Sequence, residues 1–267
     1  MKKLSIFFVV ISVLFASCSE YQKILKSDDA QLKYTKAIEY FNVKDYVRAA
    51  TLLEDISSYY KGTDRSESVL MYLAKSYLGQ KDYLTASEYF KTYVKSFPKG
   101  PNAVEAKYMI GYCYYLDSPD ARLDQSSTYT AITAYQEFLD MYPESERVQE
   151  ATKQLEELTN KLAYKELLNA RLYYNLGNYM GNNYESAMIT AQNALKKYPS
   201  NAYREDLMMV ILQSRFEMAN MSLAERQADR FRSTIDEYYS FINEYPTGKY
   251  RKEADHIFNE SKKNVKE

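Results

Sequence analysis

The sequence predicts an all-α fold, an α-solenoid of about five helix pairs stacked in chain order. Three observations carry this. Breakers are scarce, with 7 glycines and 6 prolines in 267 residues, so most of the chain is free to be helical. A small residue is followed twelve positions later by a helix stop five times over: Ala49/Lys61, Ala86/Pro98, Ala131/Pro143, Ala187/Pro199 and Thr234/Pro246. The residue before each stop is aromatic: Tyr60, Phe97, Tyr142, Tyr198 and Tyr245.

In chain order the first element is not part of the solenoid. Lys2 and Lys3 precede an uncharged run of 13 residues, Leu4 to Ala16, which is too short to span a bilayer and suits the core of a signal peptide. The run ends Leu14-Phe15-Ala16-Ser17-Cys18. This resembles a bacterial lipobox, with small residues before a cysteine and Phe15 where leucine is preferred. The expectation is a cleaved lipoprotein signal over residues 1–17, acylation of Cys18 with palmitate-type chains, and a lipid-anchored tether over 18–30. Only a thiol can form the required thioether, and each buried acyl methylene contributes roughly 0.8 kcal/mol, so several chains hold a protein at a bilayer. With Cys18 acylated, Cys113 has no partner for a disulfide. Its aromatic surroundings, Tyr112 to Tyr115, predict a small buried hydrophobe.

The solenoid is expected over 31–267, with repeats at about 31–61, 64–98, 101–143, 146–199 and 201–246 and a capping helix at 247–265. Within each repeat, positions 0, 4, 7 and 11 from the small residue mark one helix face. Position 4 holds Leu53, Phe90, Tyr135, Ala191 or Tyr238, and position 7 holds Ile56, Tyr93, Phe138, Ala194 or Phe241. The small residue admits a partner helix closely, the larger ones fill the groove, and proline stops the helix. Repeats 1 and 2 share a phrase, Lys44-Asp45-Tyr46-Val47-Arg48-Ala49 and Lys81-Asp82-Tyr83-Leu84-Thr85-Ala86. Successive repeats begin 37, 45, 56 and 47 residues apart, longer than a 34-residue minimal unit. The surplus has identifiable places. An extended turn falls between Leu116 and Thr128. Residues Glu146 to Tyr174 lack glycine and proline and predict one long helix or two stacked ones. Asn182-Asn183 turns the chain into the second helix of repeat 4.

This pattern resembles the tetratricopeptide repeat. Three local phrases narrow the resemblance: Cys18-Ser19-Glu20-Tyr21-Gln22-Lys23-Ile24-Leu25; Leu123-Asp124-Gln125 followed by Thr128, Ala131, Phe138 and Tyr142-Pro143-Glu144-Ser145; and a proline eight residues before alanine in Pro98/Ala106, Pro143/Ala151 and Pro246/Ala254, with Leu207 at that place in repeat 4. Together with the lipobox, they look like the BamD family of lipoproteins, which serves the outer-membrane β-barrel assembly machinery, in a Bacteroidetes-like form. The resemblance implies an anchor in the outer membrane facing the periplasm. It implies that repeats 3 to 5 dock on the POTRA domains of a BamA-like barrel protein, with Arg122, Asp124, Gln125, Tyr203, Arg204 and Glu205 as candidate contacts. It further implies that repeats 1 and 2 receive unfolded outer-membrane proteins, with Lys36, Tyr40, Lys75 and Tyr77 as candidate groove residues.

Other functions are disfavoured. The formal net charge is −1 and the charges are interspersed, so nucleic acid is not an expected partner. His256 is the one histidine and predicts no His-based metal site or catalytic triad. Asp28-Asp29 and Glu156-Glu157 are sequence neighbours that do not face one another across a cleft, and no glycine-rich phosphate loop is present. No enzyme activity, cofactor or metal is expected. The alternatives are a SusD-like glycan-binding lipoprotein, against which the absence of tryptophan counts, and a periplasmic repeat protein coordinating envelope constriction, for which residues 19–30 leave no room for a coiled coil.

Overall fold

A computed structural model describes residues 20–265; the predicted signal peptide and Cys18 lie outside the described residues. Among these residues the regular elements are helices, and the chain divides into two compact units. Unit 1 comprises Met1–Ser118 and Ser126–Thr152, described from residue 20 onward. It contains α1 (20–25), α2 (Ala30–Asn42), α3 (Tyr46–Tyr60), α4 (Ser66–Gly79), α5 (Tyr83–Ser96), α6 (Ala103–Asp117) and α7 (Ser126–Met141). Unit 2 comprises Pro119–Gln125 and Lys153–Glu267. It contains most of α8 (Val148–Leu176), then α9 (Asn183–Lys197), α10 (Arg204–Asn220), α11 (Ala224–Glu244) and α12 (Arg251–Lys263). Helices pack mainly on their chain neighbours, as in an α-solenoid of helix pairs.

The helix boundaries follow from local chemistry. Asp29, Asp45, Asp82 and Asn182 precede α2, α3, α5 and α9. Each side chain accepts a hydrogen bond from a backbone N–H three residues on: Leu32 at 2.9 Å, Arg48 at 3.3 Å, Thr85 at 3.1 Å and Glu185 at 3.3 Å. Ahead of three of these caps the backbone passes through the left-handed region, at Lys44 (φ 63), Lys81 (φ 64) and Met180 (φ 57). At the other end, α5, α7, α9 and α11 stop at Ser96, Met141, Lys197 and Glu244, two residues short of a proline. The residue in between is pushed out of the helical region, with ψ of 61° at Phe97, 70° at Tyr198 and 67° at Tyr245.

The predicted face is the buried one. Ala49, Ala86, Ala131, Ala187 and Thr234 have no exposed surface, and the residues four and seven positions on are at most 5% exposed. The alanine-after-proline positions Ala106, Ala151 and Ala254, and Leu207 in the same place, are also fully buried. Gly111 allows α6 to meet α7 closely, because a Cβ there would lie 2.7 Å from the Tyr135 ring. Cys113 is buried and free, and burial pushes its thiol up to about 12. The glycine- and proline-free stretch forms one 29-residue helix, α8, the first of the two expected alternatives.

Candidate functional site

In unit 1 the surface near α2, α3, α4 and α5 is organised by tyrosines. Tyr40 and Tyr77 each lie nine residues before the small residue of their repeat, and each is half-buried. The Tyr40 ring meets Tyr21 edge-on at 5.8 Å. The Arg48 guanidinium lies over both rings, 5.5 Å from Tyr40 and 5.2 Å from Tyr21. Tyr77 instead stacks on Tyr89, with centroids 5.4 Å apart and planes within 12°. Both hydroxyls donate to Glu54 Oε1, Tyr89 at 3.1 Å. Burial, and then the hydrogen bond to this carboxylate, holds the Tyr77 hydroxyl well above the ordinary tyrosine value. Burial and the Glu54 charge push Tyr89 up to about 12.

Of the other groove candidates, Lys36 donates to Glu39 at 2.7 Å and Lys75 is half-buried on α4. The structure therefore gives Tyr40 and Tyr77 separate aromatic settings, and it adds Glu54 and Tyr89, which the sequence pattern did not single out. Farther along, Lys91 donates to the Tyr114 hydroxyl at 2.8 Å and to Glu88 at 2.7 Å. Flat rings with wet hydroxyls suit contact with polypeptide.

In unit 2 the extended turn is closed by Gln125. Its side-chain amide donates to the carbonyls of Asp120 at 2.8 Å and Leu123 at 3.2 Å, and Lys165 also reaches the Leu123 carbonyl at 2.6 Å. At 3% exposure, Gln125 holds the turn together and offers no surface to a partner, which corrects its place among the contact candidates. The turn exposes Arg122, Leu123 and Asp124. Arg122 donates its backbone N–H to Asp120 at 2.9 Å.

The second candidate group is likewise engaged internally. Tyr203 packs on Tyr164 at 4.9 Å. Arg204 forks onto Glu244, with Nη2 to Oε2 at 3.1 Å. Glu205 accepts the backbone N–H of Tyr250 at 3.2 Å. Arg204 and Glu205 tie the start of α10 to the α11–α12 turn, and Tyr203 ties it to α8. Beside them lies Asp206, also absent from the sequence-based set. It is 6% exposed and accepts from Arg171 at 2.7 Å, Lys249 at 2.6 Å and the Tyr250 hydroxyl at 2.8 Å. Burial alone would raise its carboxyl. The hydrogen bonds from Lys249 and Tyr250, with the charges of Lys249 and Arg171, outweigh that and hold it below the usual carboxylate value. A cavity of about 220 Å³ opens here, lined in part by Arg171, Tyr174, Asp206, Gln213 and Tyr250. The available signal was a carboxylate directly before an apolar run, Leu207 to Leu212, where burial demands a counter-charge.

His256 is exposed on α12. Among the described residues no cluster of three or more His, Cys, Asp or Glu is placed to hold a metal ion, and no helix is long and apolar enough to cross a membrane.

The chain has relatives among known proteins. The family model described as "YfiO: Outer membrane lipoprotein" matches residues 26–182. The outer membrane protein assembly factor BamD of Caulobacter vibrioides is 22% identical over 174 residues, covering 63% of this chain and 57% of that protein. The chain thus spans little more than half the length of this relative. A solved structure of the TPR2AB domain of yeast Sti1, in its complex with pHSP90, aligns with a TM-score of 0.40 and 12% identity, over 87% of this chain and 98% of that one.

Proposed function

The chain belongs to the YfiO family of outer membrane lipoproteins, and from that premise we propose that it is a non-enzymatic adaptor in outer-membrane β-barrel assembly. The observation that carries this reading is the family match itself, which runs through residues 26–182 and so takes in most of unit 1 and the start of unit 2. In this reading Cys18 bears the lipid that holds the chain at the outer membrane, facing the periplasm. Repeats 3 to 5 dock on the POTRA domains of a BamA-like barrel protein. Repeats 1 and 2 receive unfolded barrel proteins.

The geometry supports a division of labour in this form. On the docking side, Arg122 and Asp124 lie exposed on the extended turn. Arg204 and Glu205 act by holding α10 against the α11–α12 turn, and Tyr203 by holding it against α8. On the receiving side, half-buried Tyr40 and Tyr77 offer rings and hydroxyls on rigid helices, with Lys36 and Lys75 beside them. Rigid presentation lowers the ordering cost of binding an extended segment. Similarity to the outer membrane protein assembly factor BamD of Caulobacter vibrioides favours this reading over glycan binding or envelope constriction.

The test is mass spectrometry of proteins that co-purify with the tagged full-length chain from mild-detergent membrane extracts. Recovery of a β-barrel protein with POTRA domains in near-equal amount is the expected result. Recovery of a nutrient transporter or of peptidoglycan-linked proteins in its place would overturn the assembly reading.

A further inference from the structure

The shared phrase of repeats 1 and 2 differs at one chemically decisive place, where Arg48 in the first corresponds to Thr85 in the second. In repeat 1, Arg48 covers the rings of Tyr40 and Tyr21 and pairs with Asp45 at 3.1 Å. Repeat 2 keeps the tyrosine, as Tyr77, and adds Tyr89 in a parallel stack, but a threonine carries no charge to cover them.

Elsewhere in unit 1 tyrosines obtain a cation from the chain. Arg65 lies 5.1 Å from the Tyr34 ring and 5.5 Å from the Tyr60 ring, and Lys91 lies 5.0 Å from Tyr114. At Tyr77 and Tyr89 the neighbouring group is the opposite charge, Glu54, which is exposed and has no ion pair among the described residues. The other charge acting on Tyr77 is also acidic, Asp82. Two phenol hydrogen bonds fix the Glu54 carboxylate yet use only part of its roughly four acceptor positions. Two electron-rich ring faces beside a positioned, uncompensated carboxylate form a setting that attracts a cation.

We propose that Glu54, Tyr77 and Tyr89 form a subsite for a basic side chain of a bound polypeptide, taking the place that Arg48 fills internally in repeat 1. It rests on the reading of repeats 1 and 2 as a polypeptide-receiving surface. Arginine fits better than lysine, because a planar guanidinium can lie against a ring while it forks onto a carboxylate.

The experiment uses the full-length lipidated protein in detergent and two dye-labelled peptides, Gly-Phe-Gly-Arg-Gly-Phe and Gly-Phe-Gly-Gln-Gly-Phe, followed by fluorescence anisotropy. The arginine peptide should bind about tenfold more tightly, the scale of one cation–ring and charge-assisted contact. Glu54→Gln keeps an acceptor for both hydroxyls, so it should abolish the preference and leave the melting temperature unchanged. Thr85→Arg should also abolish it, by supplying the cation from within. Equal binding of the two peptides, or a preference that survives Glu54→Gln, overturns the subsite and leaves the receiving surface standing. Binding of neither peptide overturns both.

Discussion

In unit 1 the buried face of each second helix carries bulk at the positions four and seven after the small residue: Leu53 and Ile56, Phe90 and Tyr93, Tyr135 and Phe138. The first such helix of unit 2, α9, has Ala191 and Ala194 in those places. One spacing thus serves two packing solutions. Where the helix supplies rings, small groups such as Gly111 accept them from the other side. Where it supplies only methyl groups, its neighbours bring the volume, Leu167 from α8 and Leu207, Val210 and Ile211 from α10. The polar chemistry is shared in one respect and differs in another. Both units place cations over half-buried tyrosines, but unit 2 also sinks one carboxylate, Asp206, among Arg171, Lys249 and Tyr250. Interior close packing explains why both solutions work, since what must be conserved is filled volume across the pair of helices.

The largest effect should come from removing a ring in unit 1. Phe138→Ala should lower stability by about 3–5 kcal/mol, read from urea unfolding, because nothing else fills the space of a fully buried ring. A loss below about 1 kcal/mol would end the distinction between this ring-filled helix and α9, since it would mean that the neighbours can collapse onto the site.

Adding bulk probes the same contrast from the other side. Ala86→Leu in unit 1 and Ala191→Leu in unit 2 should each cost about 1–3 kcal/mol, as both methyl groups are fully buried against a partner helix. A melting temperature equal to wild type for Ala86→Leu would show that the twelve-residue spacing has been set in the wrong register.

Asp206→Ala should destabilise by about 2 kcal/mol. That is less than the loss of a fully buried pair, because Arg171 and Lys249 remain half in water and can rehydrate. The pH dependence has a definite sign. Asp206 is held below its ordinary value of 3.8, so its stabilisation is complete above that value and is lost as pH falls through the lower folded one. Asp206→Asn should therefore unfold with a flatter acid limb than wild type. An identical acid limb in the two proteins would remove Asp206 from the account.

The smallest effect belongs to the turns. Met180→Lys should change stability by less than about 0.5 kcal/mol. Met180 is 90% exposed, and Lys44 and Lys81 already take up the same left-handed conformation in unit 1. A larger loss on chemical denaturation would assign Met180 a packing role that its exposure denies.

The fold was legible to a large extent. The small-residue and aromatic positions, the proline stops and the buried state of Cys113 all follow from spacing and from the rarity of breakers, whereas the choice between one long helix and two stacked ones came from the structure. The site was less so. Tyr40 and Tyr77 stand out by their place in the repeat, but Glu54 and Tyr89 meet Tyr77 from residues 23 and 12 positions away in sequence, on other helices. Gln125 looked like a polar surface residue and is an internal staple of its turn. Arg204 and Glu205 looked like free charges, yet their partners, Glu244 and the backbone of Tyr250, lie 40 and 45 residues on.

By itself the sequence determined the helices, their ends and the face each one buries. Those properties depend on interactions within one or two helical turns, between a residue and its neighbours three, four or seven positions away. Only the tertiary structure decided which polar side chains meet. A carboxylate in α3 finding a tyrosine pair in α4 and α5, or Asp206 collecting cations from α8 and the α11–α12 turn, depends on how whole helices stack. No local spacing encodes that distance, and a charged residue in a helix has the same local signature whether it faces water or a partner.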